Sequence, residues 1–393
     1  MIDFIFVFLV LLAANQVLFK SLSNKFSFFD KKLMNKLYLY HVFFFIIYFA
    51  YAAFNASDSK VYYQDALYFE GDLTKIFTTG TKFILFISTV LVKLGLSYLS
   101  LMYFFSWLGF VGFVFAYLFF RENIIINVKV FKKYDLLTLL LFLPNMHFWT
   151  ASLGKGSIIF MGLMVFIYAL RFPQKRIVAL LIGGFLVYMI RPHVMLFVLV
   201  GIMVGILTGK SRIGPGVRFL IILVSVGFLY LAQNSILGVA NLEDSENVIA
   251  DFDQFAEEQS RRLVSTESGV DMSNYPLPFK FFTFWFRPLF IDSPSVLGIF
   301  SSSENLIYLL LFAKILNRRF LRFIVKSPYL VKTSFIIFIL TSFALTFVMS
   351  NLGIIMRQKS MVMYFGFFVI YYFLANEKYQ LIEKNKSNPV SLA

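Results

Sequence analysis

The chain is expected to fold as an all-α protein: a polytopic transmembrane helical bundle of 11–12 spans, forming one integral membrane domain over residues 1–393. Apolar blocks of span character recur from Phe4 to Leu374. The hydrophobic fraction is 59% with a mean hydropathy of +0.78, whereas soluble proteins hold about 45–50% apolar residues. The charges also sort. When the blocks are threaded so that basic loops stay inside, 24 of the 36 Lys and Arg fall on the inner face, with only 5 of the 21 Asp and Glu. Basic loops resist translocation across a bilayer, so this sorting gives the topology.

The first block, Phe4–Leu18, lacks the basic leader and small-residue cleavage site of a signal peptide and reads as a span. The loop Lys20–Lys36 carries five Lys and one Asp, which makes it inner and the N-terminus outer. Leu37–Phe54 returns to the outer face, where Asp58, Tyr62, Tyr63 and Asp65 follow. Phe83–Leu96 is apolar but short for a crossing, which needs about 17–25 residues. A re-entrant or interfacial helix there leaves the basic loop Arg121–Asp135 inside; a full crossing gives the twelfth span. Leu101–Phe120, Leu136–Phe148, Ile158–Leu170, Ile177–Ile190, Val194–Leu207 and Phe219–Leu237 alternate across the membrane, with basic inner turns at Arg171–Arg176 and Lys210–Arg218.

Residues 241–275 form the one extended polar segment, an outer loop with nine acidic residues between Glu243 and Asp271. Its periodicity predicts a helix near Asp251–Leu263. An aromatic stretch from Pro276 to Pro288 suits the membrane interface. Asn305–Phe312, Ser334–Met349 and Met361–Leu374 complete the spans around the basic inner loop Lys314–Lys332.

A net charge of +15 would point to nucleic acid in a soluble protein, but these cations lie in short inner loops beside lipid headgroups, so no nucleic-acid partner is expected. The absence of Cys excludes disulfides, thiolate metal sites and Cys nucleophiles.

The informative charges are those that break the topology rule. Lys155, Arg191, Arg287, Arg357 and Lys359 lie at span ends on the outer face. Singly, each has an ordinary use: an Arg snorkels to headgroups or neutralises a helix C-terminus. Together they predict an anion site, with Arg as a planar two-pronged donor for phosphate oxygens and Lys as a point charge. Arg191, Arg357, Arg287 and Lys155 are the candidate pyrophosphate ligands. Asp58 and Asp65 are seven residues apart, so a helix would carry both on one face with Tyr62. A carboxylate there would deprotonate a sugar hydroxyl or hold a divalent cation bridging to phosphate; the plainer role for Asp58 is a helix cap.

His41 lies inside a span and reads as packed; His147 and His193 read as outer residues suited to acid–base work. Two His without a tight carboxylate spacing predict no dedicated metal site. Gly154-Lys155-Gly156-Ser157 lacks the upstream Gly and strand of a nucleotide loop, yet it presents Lys155 and amides at a helix start.

With these features the chain resembles the multi-span proteins of bacterial envelope polysaccharide assembly. Asp58, in Ser57-Asp58-Ser59-Lys60-Val61-Tyr62, matches the acidic residue that GT-C-type membrane glycosyltransferases place in their first outer loop. Arg191-Pro192-His193, Arg287-Pro288 and Arg357 are similar in placement to the outer Arg and His of Wzy-type polymerases. The chain departs from GT-C enzymes in lacking a soluble C-terminal domain, and its large loop is late and acidic. The resemblance implies a transferase or polymerase in the bacterial inner membrane, with the C-terminus cytoplasmic. It would act on a polyprenyl-(pyro)phosphate-linked oligosaccharide at the periplasmic face, with catalytic roles for Asp58, His193 and Asp65. The alternatives are a transporter or flippase for a lipid-linked glycan, or a scaffold among envelope-assembly partners. Inverted repeats, which transporters often carry, are not visible in the sequence.

Overall fold

The computed structural model describes residues 2–131, 133–210, 213–237, 248–264, 269–272, 274–292 and 296–387. The protein is an all-α polytopic bundle whose only described strands are the two-residue pair β1 (Lys129–Val130) and β2 (Tyr134–Asp135). Five described helices are long and apolar enough to cross a membrane: α1 (Ile2–Lys25), α2 (Lys31–Phe54), α6 (Tyr98–Asn123), α12 (Pro215–Leu237) and α17 (Tyr329–Val348). A sixth candidate pairs α15 (Val296–Ala313) with α16 (Arg318–Lys326) across an 80° bend.

The shorter apolar helices are α7 (Leu136–Leu141), α8 (Pro144–Thr150), α9 (Lys155–Leu170), α10 (Ile177–Ile190) and α11 (Pro192–Thr208). The reading of 11–12 spans counts these pieces as well as the apolar part of α18 (Leu352–Ser387); length and composition alone support five or six. The break between α7 and α8 falls at Pro144, which has no amide hydrogen to continue the helix and starts the next one instead.

α3 (Asp58–Leu67), α4 (Leu73–Ile76) and α5 (Thr81–Lys93) fill the link between α2 and α6. At 13 residues α5 reaches about 20 Å, short of the ~30 Å hydrocarbon core, and it packs mainly on α3. The helix expected near Asp251–Leu263 is α13 (Val248–Val264), followed by α14 (Leu277–Phe286). Residues 241–247, 265–268 and 273 of the acidic loop lie outside the described residues.

Apolar residues all round a helix demand burial on every side. This places α6, α9 and the Met361–Tyr371 stretch of α18 at the centre, with Phe113, Phe120, Phe160, Tyr364 and Phe368 almost fully buried. The helices α1, α10 and α12 instead turn residues such as Phe6, Leu181, Phe185 and Leu231 outward, which marks the lipid face of a membrane protein. α9 and α10 meet at a glycine seam. A Cβ on Gly183 would lie 2.7 Å from the Phe166 nitrogen and 2.9 Å from the Gly162 carbonyl oxygen, so only Gly permits the approach.

The bundle has two distinguishable ends. At the C-terminal end of α9, the Tyr329 hydroxyl donates to the Leu170 carbonyl at 2.8 Å, and Arg176 grips Glu122 through two nitrogens at 2.8 and 2.5 Å. The N-terminus of α9, with Lys155, lies at the other end, about 24 Å away along the axis.

Candidate functional site

Four helix starts supply the site. The first is α3, where Ser57 rather than Asp58 is the cap and accepts from the Ser59 amide at 3.3 Å. A chain of hydroxyls from Tyr48 through Ser57 and Ser59 to Tyr98 ties this cap to α2 and α6. Asp58 therefore stands in the first turn with its carboxylate half exposed, and Tyr62 is buried one turn later.

α18 is capped by Asn351, whose side-chain oxygen accepts from the Ile354 amide at 2.9 Å. This sets Arg357 facing α3, where it donates to Asp58 Oδ2 at 2.5 Å. α9 starts at Lys155 behind Gly154, and α11 starts at Pro192 behind Arg191; neither start has a side-chain cap. The first amides of α9 remain available, and helix N-termini favour anions; α11 opens on Pro192, which has no N–H, and its Val194 amide donates to the Arg191 carbonyl at 3.0 Å. Gly80, at φ +79, turns the chain into α5 and donates to the Met189 carbonyl at 2.7 Å, holding that turn beside the Arg191 junction.

These starts make one electrostatic group. Lys155 interacts with Arg191, Arg357 and Asp58. His193 interacts with Arg191 and Lys155, and Tyr62 with Asp58, Arg357 and Arg191. Burial pushes the Tyr62 phenol above its usual pKa, and the Asp58 charge adds to the effect. Asp58 is the one carboxylate among these six residues, against three permanent or near-permanent cations. Two buried nitrogens, Arg191 Nε and His193 Nδ1, have no hydrogen-bond partner in the protein. Buried donors and acceptors are normally satisfied, so these two give the group unmet hydrogen-bonding capacity.

Lys155, Arg191, Arg357, Asp58 and His193 are thus brought together as their sequence positions suggest. Asp65 is not: it lies two turns along α3, exposed, away from the group. Arg287 also stands elsewhere. Its guanidinium is committed to Asp292, with contacts of 3.1, 3.1 and 2.6 Å, and Asp292 further accepts from the Leu289 amide at 2.7 Å. Arg287 is therefore corrected from an anion ligand to half of a clamp that closes the turn after α14.

His147 is corrected as well. It is fully buried, stacked on Phe113 at 4.0 Å, with Nδ1 2.7 Å from His41 Nδ1 and Nε2 2.7 Å from the Leu141 carbonyl. α8 packs among α2, α6, α9, α15 and α18, so this imidazole faces the core. His41 is packed as expected, its Nε2 against the Ser106 carbonyl at 3.0 Å.

Sequence reasoning missed a buried network built around Glu304. One Glu304 oxygen accepts from the Asn145 amide at 2.6 Å and the other from the Tyr308 hydroxyl. Lys359 is fully buried beside it, donating to the Arg287 carbonyl at 2.7 Å and Asn305 Oδ1 at 2.8 Å. The one acidic residue of α15, at the end of the polar patch Ser301-Ser302-Ser303 within a candidate span, was the available signal, since ionisable groups within spans are rarely idle.

A separate cavity of about 570 Å³ opens under α13, lined by Glu257, Arg261, Asp271, Lys280, Phe347 and Ser350 among others. It shares no lining residue with the Asp58 group. Among the described residues no set of three or more His, Asp and Glu is gathered to hold a metal ion. No family model, curated protein or solved structure matches the chain.

Proposed function

We propose that the protein is a membrane transferase or polymerase that uses a polyprenyl-(pyro)phosphate-linked sugar, with the Asp58 group as its reaction centre. The observation that carries this reading is the gathering of Lys155, Arg191 and Arg357 beside one carboxylate, which pairs with Arg357 and interacts with Lys155, at two uncapped helix starts. A lipid-linked donor places its phosphates at headgroup depth and its chain in the bilayer, and this cation-rich end of an apolar bundle suits both.

In this reading Arg191, Arg357 and Lys155 bind the donor phosphates with the first amides of α9. Asp58 takes the proton from an acceptor hydroxyl, with His193 as the alternative base. The acceptor oxygen bonds to the anomeric carbon as the bond from that carbon to the phosphate oxygen breaks. The departing polyprenyl (pyro)phosphate keeps the electron pair, and the same cations stabilise its growing charge. The end bearing Asp58 is assigned to the periplasmic face of a bacterial inner membrane, with the N-terminus outside and the C-terminus cytoplasmic. The charge sorting of the loops supports this orientation.

The test is reconstitution with a defined lipid-linked donor and acceptor, comparing the parent with Asp58→Ala, Arg191→Ala and Arg357→Ala at equal folded amounts. The reading requires product from the parent and a loss of at least about a hundredfold in each variant. Movement of the intact donor across the bilayer without product would make the protein a transporter and sink the proposal.

A further inference from the structure

The basic residues at the other end of the bundle carry a second inference, independent of the reading above. α15 ends at Ala313, and after an 80° bend α16 runs from Arg318 to Lys326. Asn317 caps it, its side-chain oxygen accepting from the Phe320 amide at 3.0 Å, so the bend is a defined corner. A helix turned this far from a span lies closer to the membrane plane than to its normal.

Nine residues form three sectors. At about 100° per residue, Arg318, Arg319, Arg322 and Lys326 fall within one arc of about 100°, and all four are exposed. Phe320 and Phe323 point to the protein: Phe320 is buried, and both rings pack on Phe373 at 5.3 Å. The third sector is apolar and uncovered, with Leu321 66% and Val325 71% exposed, continuing to Leu316 at 83%. Arg319 pairs with Glu377 at 3.6 Å and stays largely exposed itself.

An exposed apolar strip beside a basic arc is the arrangement of a helix seated in a bilayer interface, apolar side chains towards acyl carbon and cations towards headgroups. The geometry points to α16 as an in-plane helix that binds anionic phospholipid, with Arg318, Arg319, Arg322 and Lys326 on the phosphates and Leu316, Leu321 and Val325 in the acyl layer. Charge complementarity selects the anionic class, because zwitterionic headgroups give no net field for four clustered cations to follow.

The chain has no Cys, so Val325→Cys offers a unique fluorophore site. The labelled protein in nanodiscs should be quenched by lipids brominated on the acyl chain and hardly by iodide in the buffer. Lipid retained through purification, measured by native mass spectrometry, should favour phosphatidylglycerol over phosphatidylcholine. Arg318→Gln, Arg319→Gln, Arg322→Gln and Lys326→Gln together should remove that preference, about fivefold in partitioning per residue. The three Arg→Lys changes should preserve it, because the charge and not the guanidinium fork is read. Three results would overturn the inference: iodide quenching without bromine quenching, an unchanged preference in the Gln variant, or equal binding of soluble glycerol phosphate without a bilayer.

Discussion

Arg357 and Asp58, 299 residues apart in the chain, are joined at 2.5 Å. The carboxylate is 54% exposed and the guanidinium 28%, so the pair is held in water-accessible surroundings. Such pairs contribute about 0–1 kcal/mol, little enough for an incoming anion to compete with Asp58 for Arg357.

Asp58→Asn should therefore tighten inorganic pyrophosphate binding by about two- to fivefold, the equilibrium equivalent of that pair energy. Arg357→Gln should weaken it. Calorimetric titration of both variants in the same nanodiscs checks this. Equal affinities for all three proteins would separate the ion pair from any anion site.

Lys359 follows Arg357 by two residues, about 200° around the helix. One points to the rim and the other into the bundle, where Glu304 offsets its charge. Lys359→Met should cost about 1–3 kcal/mol by leaving Asn305 Oδ1 and the Arg287 carbonyl without their buried donor. The same change should slow oxidative cross-linking of a Cys pair placed at 58 and 357, since the phase of α18 is no longer fixed. Unaltered cross-linking in Lys359→Met would show that Lys359 does not orient Arg357.

The Arg287–Asp292 clamp predicts an acid limb. The hydrogen bond from Arg287 holds the Asp292 carboxyl below its ordinary value of 3.8. A carboxyl depressed in this way stabilises the fold above its unfolded pKa, and the contribution disappears as pH falls through the folded pKa. Melting temperature should thus drop below about pH 4. In Asp292→Asn it should begin lower at pH 7 and fall less on acidification, as thermal scans from pH 3 to 7 will reveal.

Gly183→Val should lower stability by about 1–3 kcal/mol, because the new carbons meet backbone that cannot move aside. Gly227→Ala in α12 is the control: its Cβ would meet nothing within 4 Å, and replacing a helical Gly adds up to about 1 kcal/mol. Similar melting of both variants would contradict a close α9–α10 seam.

Much of this architecture was legible because apolarity and charge placement are one-dimensional signals. The runs that became α2, α6 and α12 are plain in the sequence, and α13 follows from its periodicity. Lys155, Arg191 and Arg357 were legible for a different reason: each is a cation where the orientation rule disfavours one. Direction within a helix was not legible. Lys359 broke the same rule but turns inward, and Glu304 lay one residue outside the expected span. Arg287 found its partner five residues on, through a loop whose course no periodicity encodes. His147 was lost because α8 is enclosed by α2, α6, α9, α15 and α18, a packing that no linear signal encodes.

The shortness of α9, α10 and α11 has a consequence for the lipid around them. At 16, 14 and 17 residues they reach about 21–26 Å, against ~30 Å of hydrocarbon. Charged ends at Lys155, Arg171, Arg176 and Arg191 resist being dragged into acyl carbon, and α10 faces outward through Val178, Leu181 and Phe185. Of the three, α10 is the one turned outward, and thinning of the leaflets beside it meets that mismatch. A long-chain amphiphile sliding along that thinned collar would find its headgroup lowered towards Arg191 before touching the protein.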